Sequence, residues 1–307
     1  MIPQDTPVTV DQIVLDDIIL KQFEIPLKTS AMDYLPGLMA NLGSTDSDLR
    51  ECSLDVLWTW ISRPFFSESE LLDIAQQMAA NMTTGLGEKV SDSVFLRAFS
   101  TLILAATLEV DIDRYERNLP RLFTEDQIHS WLEITLKLLR EEKDLRGYVE
   151  GKGWAHCMAH TGDLLGDFAA HPCLGKQELE EILNTLQVRI TTPVEQVFVH
   201  NEEERLSGVV MNILQRDLVT EEFFTAWMDG FVSPSGHMDW KEAFTHPHWN
   251  CARVNTKVFL RSIYFFLLVG YKDTPEHRKV EMVERLKPIL MKCLKQIYPN
   301  SRYADWN

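Results

Sequence analysis

The sequence lacks the features that would tie it together covalently or fix it in a membrane. Its 307 residues include five cysteines, an odd number, widely spaced and without a CxxC pair (Cys52, Cys157, Cys173, Cys251, Cys293). Neither a disulfide frame nor a zinc ribbon is expected from that, and reduced thiols point to the cytoplasm. Positive charge is scarce: 30 Lys and Arg stand against 46 Asp and Glu, a formal net charge of -16. That balance repels phosphate backbones and argues against nucleic-acid and membrane-surface partners. No run reaches the ~18 apolar residues of a membrane span, and the richest, VFLRSIYFFLLVGY, is interrupted by Arg261. The N-terminal stretch MIPQDTPVTVDQIVLDDIILKQF has four Asp before its first Lys and no basic region of the secretory kind. Strand-like alternation is confined to VRITT and QVFVH, both too short to carry weight.

Helical periodicity fills the rest. Apolar residues recur at spacings of three and four in LRECSLDVLWTWI, ESELLDIAQQMAANM, VFLRAFSTLILAATL, IHSWLEITLKLLR and KQELEEILNTLQ, among others. Pro64, Pro172, Pro193, Pro247 and Pro275, with Gly43, Gly85, Gly87 and Gly236, fall between such segments. No linker or low-complexity stretch divides the chain, so residues 1–307 read as one all-α domain. A weak internal repeat adds detail: VFLR occurs at Val94 to Arg97 and at Val258 to Arg261, and Arg50 and Arg205 stand in comparable segments. Taken as equivalent, these arginines would each open the second helix of a helix pair. Units of roughly 45 to 60 residues suit HEAT- or armadillo-like repeats stacked into an α-α superhelix. Between Arg97 and Arg205 the matching segment is WAHC, with His156 in the arginine's place.

LGSTDSDLREC, DSVFLRAFSTLIL, LRGYVEGKGWAHCMAHTGDLL, EEERL and RVNTKVFLRSIYF, in that order over residues 42–271, together resemble the bacterial family named only as domain of unknown function 2785. The resemblance implies an all-helical, HEAT-like single domain. It brings no catalytic residues with it, since the family has no established activity.

The stretch RGYVEGKGWAHCMAH is unlike the rest. Read as a helix from Gly153 to about Ala170, it places His156, His160, Asp163 and Asp167 within about 60° of one another, with Trp154, Met158, Leu165, Phe168 and Ala169 opposite. His156, His160 and Asp163 would be a first set of ligands for a divalent metal such as zinc. The glutamate of HExxH is missing, however, and a general base would have to come from elsewhere. The alternative is that the stripe is an ordinary polar face making hydrogen bonds. Before it, Gly147, Gly151 and Gly153 permit close backbone approach, and Lys152 beside a helix N-terminus could hold an anion. Equally, such glycines cap one helix and turn into the next.

On a superhelix, Arg97, Arg205 and Arg261 would flank His156 on the concave side, with Arg146 and Tyr148 at its mouth and Trp154 nearby. The alternative pairs the arginines with preceding acids, Asp48, Asp92 and Glu203. Cys157 is three residues from His160, yet no oxyanion hole accompanies it, which favours a structural thiol. His246 and His248 in THPHWN read either as loop ligands or as the start of a helix, and His200 and Glu203 either as partners of the His156 set or as a first helical turn. Two functions remain open. One is a binding or scaffold protein taking an anionic small molecule or an acidic peptide. The other is a metal-dependent hydrolase or oxygenase built on His156, His160 and Asp163.

Overall fold

The computed structural model describes residues 8–233, 239–270 and 280–297, so Gly236 and Pro275 lie outside the described residues. The chain is all-helical in architecture, as its periodicity predicts. Twelve α-helices are found among the described residues: α1 Gln12–Leu20, α2 Ala31–Asn41, α3 Ser47–Ser62, α4 Glu68–Asn81, α5 Ser93–Glu116, α6 Glu125–Glu141, α7 Cys157–Ala170, α8 Lys176–Thr191, α9 Glu202–Arg216, α10 Glu221–Val232, α11 Pro247–Val269 and α12 Val280–Ile297. VRITT falls at the end of α8 and QVFVH in irregular chain.

Local chemistry sets these boundaries. Ser67 opens α4 with a capping box: its hydroxyl accepts from the Glu70 amide, and the Glu70 carboxylate accepts from the Ser67 amide at 2.7 Å. Thr124 and Gln127 do the same for α6. Asp46 caps α3 by accepting from the amides of Asp48 and Leu49. Pro247 is the first residue of α11, where its missing N–H costs nothing. The HPH segment is therefore a helix start, and the three glutamates of HNEEER fill the first turn of α9, where the helix dipole favours them.

The chain gathers into two compact units, Met1–Asp167 and Phe168–Asn307, the division falling inside α7. In the first, α3 packs on α1, α2 and α5, α5 also on α4, and α4 on α6. The core holds Val56, Trp60, Phe95, Phe99, Ile103, Leu132 and Leu136. α5 is long and apolar enough to cross a membrane by composition, yet most of it is enclosed here. In the second unit, α11 packs on α8, α9 and α12, and α8 and α12 on α10, around Leu183, Trp227, Phe231 and Phe259.

Candidate functional site

The segment that the sequence assigns to a loop and a helix contains a β-hairpin. β1, Tyr148–Val149, pairs antiparallel with β2, Gly153–Trp154, in the register Tyr148 to Trp154 and Val149 to Gly153. Gly153 has φ +75°, and a Cβ there would lie 2.8 Å from Cβ of Ser47, so only glycine fits. Trp154 is thus a strand residue and not part of the apolar side of a helix. Helix α7 begins at Cys157, after His156.

His156 itself is in the left-handed region, φ +53°. Its carbonyl accepts the first helical bond from the His160 amide at 3.1 Å, so it caps α7 in a conformation that a β-carbon disfavours by about 1–2 kcal/mol. Two histidines predicted one turn apart on a helix do come together, but through a turn: their ring centroids are 5.7 Å apart. A row of rings runs outward from the core. Phe99 meets His160 edge-on at 5.4 Å, His160 meets His156, His156 stacks on Trp154 at 4.9 Å with a 27° tilt, and Trp154 meets Tyr148 at 5.2 Å. Nδ1 of His160 lies 3.2 Å from the Ala98 carbonyl. That bond makes Nδ1 the protonated nitrogen and leaves the lone pair of the neutral ring on Nε2. The outer end of the row faces solvent, with Tyr148 48% and Trp154 40% exposed. Asp163 and Asp167 are half-buried on the following turns of α7.

Arg50 holds the hairpin in place. Wholly enclosed at the start of α3, it donates from Nη2 to the carbonyls of Lys152 (2.8 Å) and Trp154 (3.2 Å), and from Nη1 to that of Ser44 (2.6 Å). Its guanidinium also lies over the rings of Phe95 and Phe99, at 4.3 and 4.7 Å. Burial pulls its pKa down from the ordinary arginine value, against the attraction of Glu51 and Asp46.

The cations expected to receive a ligand are occupied within the protein. Arg97, on α5, is fully enclosed and makes a two-point bond to Glu142 (2.6 and 3.1 Å), with further bonds to the Thr84 carbonyl and Ser93 hydroxyl. Its bonds are all to groups of the same unit, and no part of it reaches the surface. Its partner is Glu142, just past the end of α6, and not the preceding Asp92. Glu142 also accepts from the amides of Lys143 and Asp144, and the Cys157 thiol lies 3.7 Å from it. Burial and the Glu142 charge push that thiol well above its ordinary pKa, which disfavours the reactive thiolate. Asp92 instead takes Lys152, with both carboxylate oxygens 2.7 Å from Nζ. Arg146 bonds Asp144 at 2.8 and 2.6 Å and the Ser91 carbonyl at 3.0 Å; the Asp144 hydrogen bonds raise its pKa.

The arginine series divides. Arg50 and Arg97 are enclosed near the starts of α3 and α5, but in the second unit Arg205 is exposed in the first turn of α9 and Arg261 is exposed past the middle of α11. The repeated VFLR therefore marks two different helix positions. Among the described residues no three His, Cys, Asp or Glu side chains gather as a metal ion requires, and His156, His160 and Asp163 do not form such a set. Sequence reading missed Glu142 and Phe99, whose partners Arg97 and His160 are distant in the chain, and Asp144, which pairs with Arg146 two residues on.

Residues 78–265 match the family model described as Protein of unknown function (DUF2785). The chain belongs to this family. No curated protein and no solved structure matches it. The DUF2785 match takes in the hairpin, α7 and Glu142, but begins after Arg50, so the residue that holds the DUF2785 hairpin comes from helices preceding the matched region.

Proposed function

We propose that the chain is a cytoplasmic binding protein, HEAT-like within each unit, that takes an anionic small molecule or an acidic peptide on the hairpin and the start of α7. The HEAT-like part rests on packing between helices two apart in sequence, α1 with α3, α3 with α5 and α4 with α6 in the first unit, α9 with α11 and α8 with α10 in the second. The five cysteines form no disulfide, which suits a reducing compartment.

The observation that carries the binding reading is the exposure of Tyr148 and Trp154 on a hairpin held by an enclosed arginine. Exposed aromatic rings on a fixed backbone lose little entropy when a ligand covers them. His156 adds a polar ring at their side, at a left-handed position that glycine would take without strain. The donors offered to an acidic group are then a ring N–H of His156 and the Lys152 ammonium beside its Asp92 partner, whereas Arg97 acts beneath the surface.

A thermal-shift screen of di- and tricarboxylates, phosphates and short acidic peptides tests this, with hits repeated on Trp154→Ala and His156→Ala. Both variants should lose at least tenfold in affinity for an acidic hit and keep their helical spectrum. If hits bind the variants as tightly as the wild type, or if neutral analogues bind as well as acids, the proposal is wrong.

A further inference from the structure

Lys152, the cation of the hairpin sequence YVEGKGW, is held by a carboxylate from the connection between α4 and α5. Both oxygens of Asp92 lie 2.7 Å from its Nζ, so the ammonium is satisfied inside the protein. This contact differs in kind from the other charge pairs around the hairpin. Arg97 and Glu142 are both fully enclosed, and the Asp144 that holds Arg146 is buried. The side chains of Lys152 and Asp92 are instead 37% and 48% exposed, within reach of an acid arriving from solvent. Exposed pairs of this kind add little to stability.

Asp92 loses little when Lys152 turns to another acid. It directly precedes Ser93, the first residue of α5, where the positive end of the helix dipole favours a carboxylate. Its side chain makes no capping bond there, so its movement leaves the helix start as it was. Its charge also acts on Arg146, whose pKa is raised first by the Asp144 hydrogen bonds and further by Asp92. The main chain beside it is fixed independently. The Ser91 amide donates to Asp144 at 3.2 Å, and the Ser91 carbonyl accepts from Arg146 at 3.0 Å. Separation of Asp92 from Lys152 is therefore a movement of two side chains, with the hairpin still anchored by Arg50.

We propose that Asp92 is an autoinhibitory carboxylate: it occupies Lys152 in the free protein, and an acidic ligand binds the hairpin by displacing it. The inference rests on the acid-binding reading of the hairpin and adds a control on its affinity. A lone carboxylate exchanges one ion pair for an equal one and gains nothing. A ligand that also covers Trp154 gains the burial of that ring, so small acids are turned away and larger ones are kept.

The test is fluorescence anisotropy with the full chain and a fluorescein-labelled pentapeptide, a leucine flanked by two glutamates on each side. Asp92→Asn removes the competing charge and keeps the shape, and should bind about three- to fivefold more tightly than wild type, the range an exposed pair allows. Lys152→Gln should lose affinity, and adding Asp92→Asn to it should restore none. Asp73→Asn, exposed on α4, makes the same change in net charge and should leave binding unchanged. Circular dichroism checks that each variant folds. Binding by Asp92→Asn that is unchanged or weaker than wild type overturns the proposal, as does an equal gain from Asp73→Asn or a gain that persists without Lys152. Loss of affinity on Trp154→Ala with no gain on Asp92→Asn keeps the acid-binding reading and sinks the autoinhibition alone. Unchanged affinity on Trp154→Ala, or a peptide that neither wild type nor Asp92→Asn binds, removes both.

Discussion

His156 is the residue at which local stability and use of the surface diverge. Its left-handed backbone is one that glycine adopts without strain. His156→Gly should therefore be neutral or stabilising by up to about 1 kcal/mol, the relief of strain being partly offset by the greater entropy glycine loses on folding. Urea denaturation measures this; a loss above about 1 kcal/mol would mean that the imidazole holds the hairpin and that strain is secondary. Lys257, on α11, makes a different prediction. Burial, and then the charges of Arg253 and Arg261, hold its folded pKa at about 8, below the ordinary lysine value of 10.5, so the folded state sheds this proton first. Between those two values the unfolded chain holds more protons, and the contribution of Lys257 to stability improves as pH rises. Below pH 8 the charged lysine is a burden on the fold. Lys257→Met should accordingly be more stable than wild type at neutral pH, and the gap should narrow towards pH 10. Paired denaturation curves across that range check the sign, and a gap that widens with pH contradicts the assignment.

At the scale of elements, the loop between α6 and α7 is organised by buried charge. Arg97→Met would leave Glu142 enclosed and without its guanidinium, at a cost of about 3–5 kcal/mol in denaturant midpoint analysis. Adding Glu142→Leu should recover only part of this, because the Lys143 and Asp144 amides then lose their acceptor. A double variant as stable as wild type would show that those amides find other partners. None of this pairing was legible in the sequence, because Arg97 and Glu142 are 45 residues apart and nothing local links them. The helices were legible, since spacings of three and four over a dozen residues have no other reading, and capping residues such as Ser67 and Thr124 mark their starts. GWAHC was misread for a physical reason. Two-residue strands are too short to show alternation, and a left-handed histidine looks like any other residue in a periodicity count. The two histidines still meet despite the misreading, because the turn at His156 brings its ring beside His160 much as a helix would. VFLR misled in the opposite way: one tetrapeptide lies near the start of α5 and past the middle of α11, with its arginine enclosed in the first and exposed in the second.

For the whole molecule, net charge is the property that solution conditions reach most easily. With 46 acidic against 30 basic residues, like-charge repulsion opposes compaction and salt screens it. The melting temperature should rise as sodium chloride goes from about 10 to about 150 mM; a fall would mean that exposed pairs such as Lys152 with Asp92 outweigh the net repulsion. The clasp of Arg50 on the hairpin also has a consequence in time. Its two bonds to the hairpin join residues 102 and 104 positions apart, so the loop they close is among the slowest to form. In a chain made from its N-terminus, α3 must wait for most of the first unit to be synthesised before the guanidinium finds those carbonyls. The aromatic face should thus be among the last features of that unit to mature. On the proposed binding function, ligand occupancy would then double as a certificate of completed folding, issued only to molecules whose N-terminal helices are already in place.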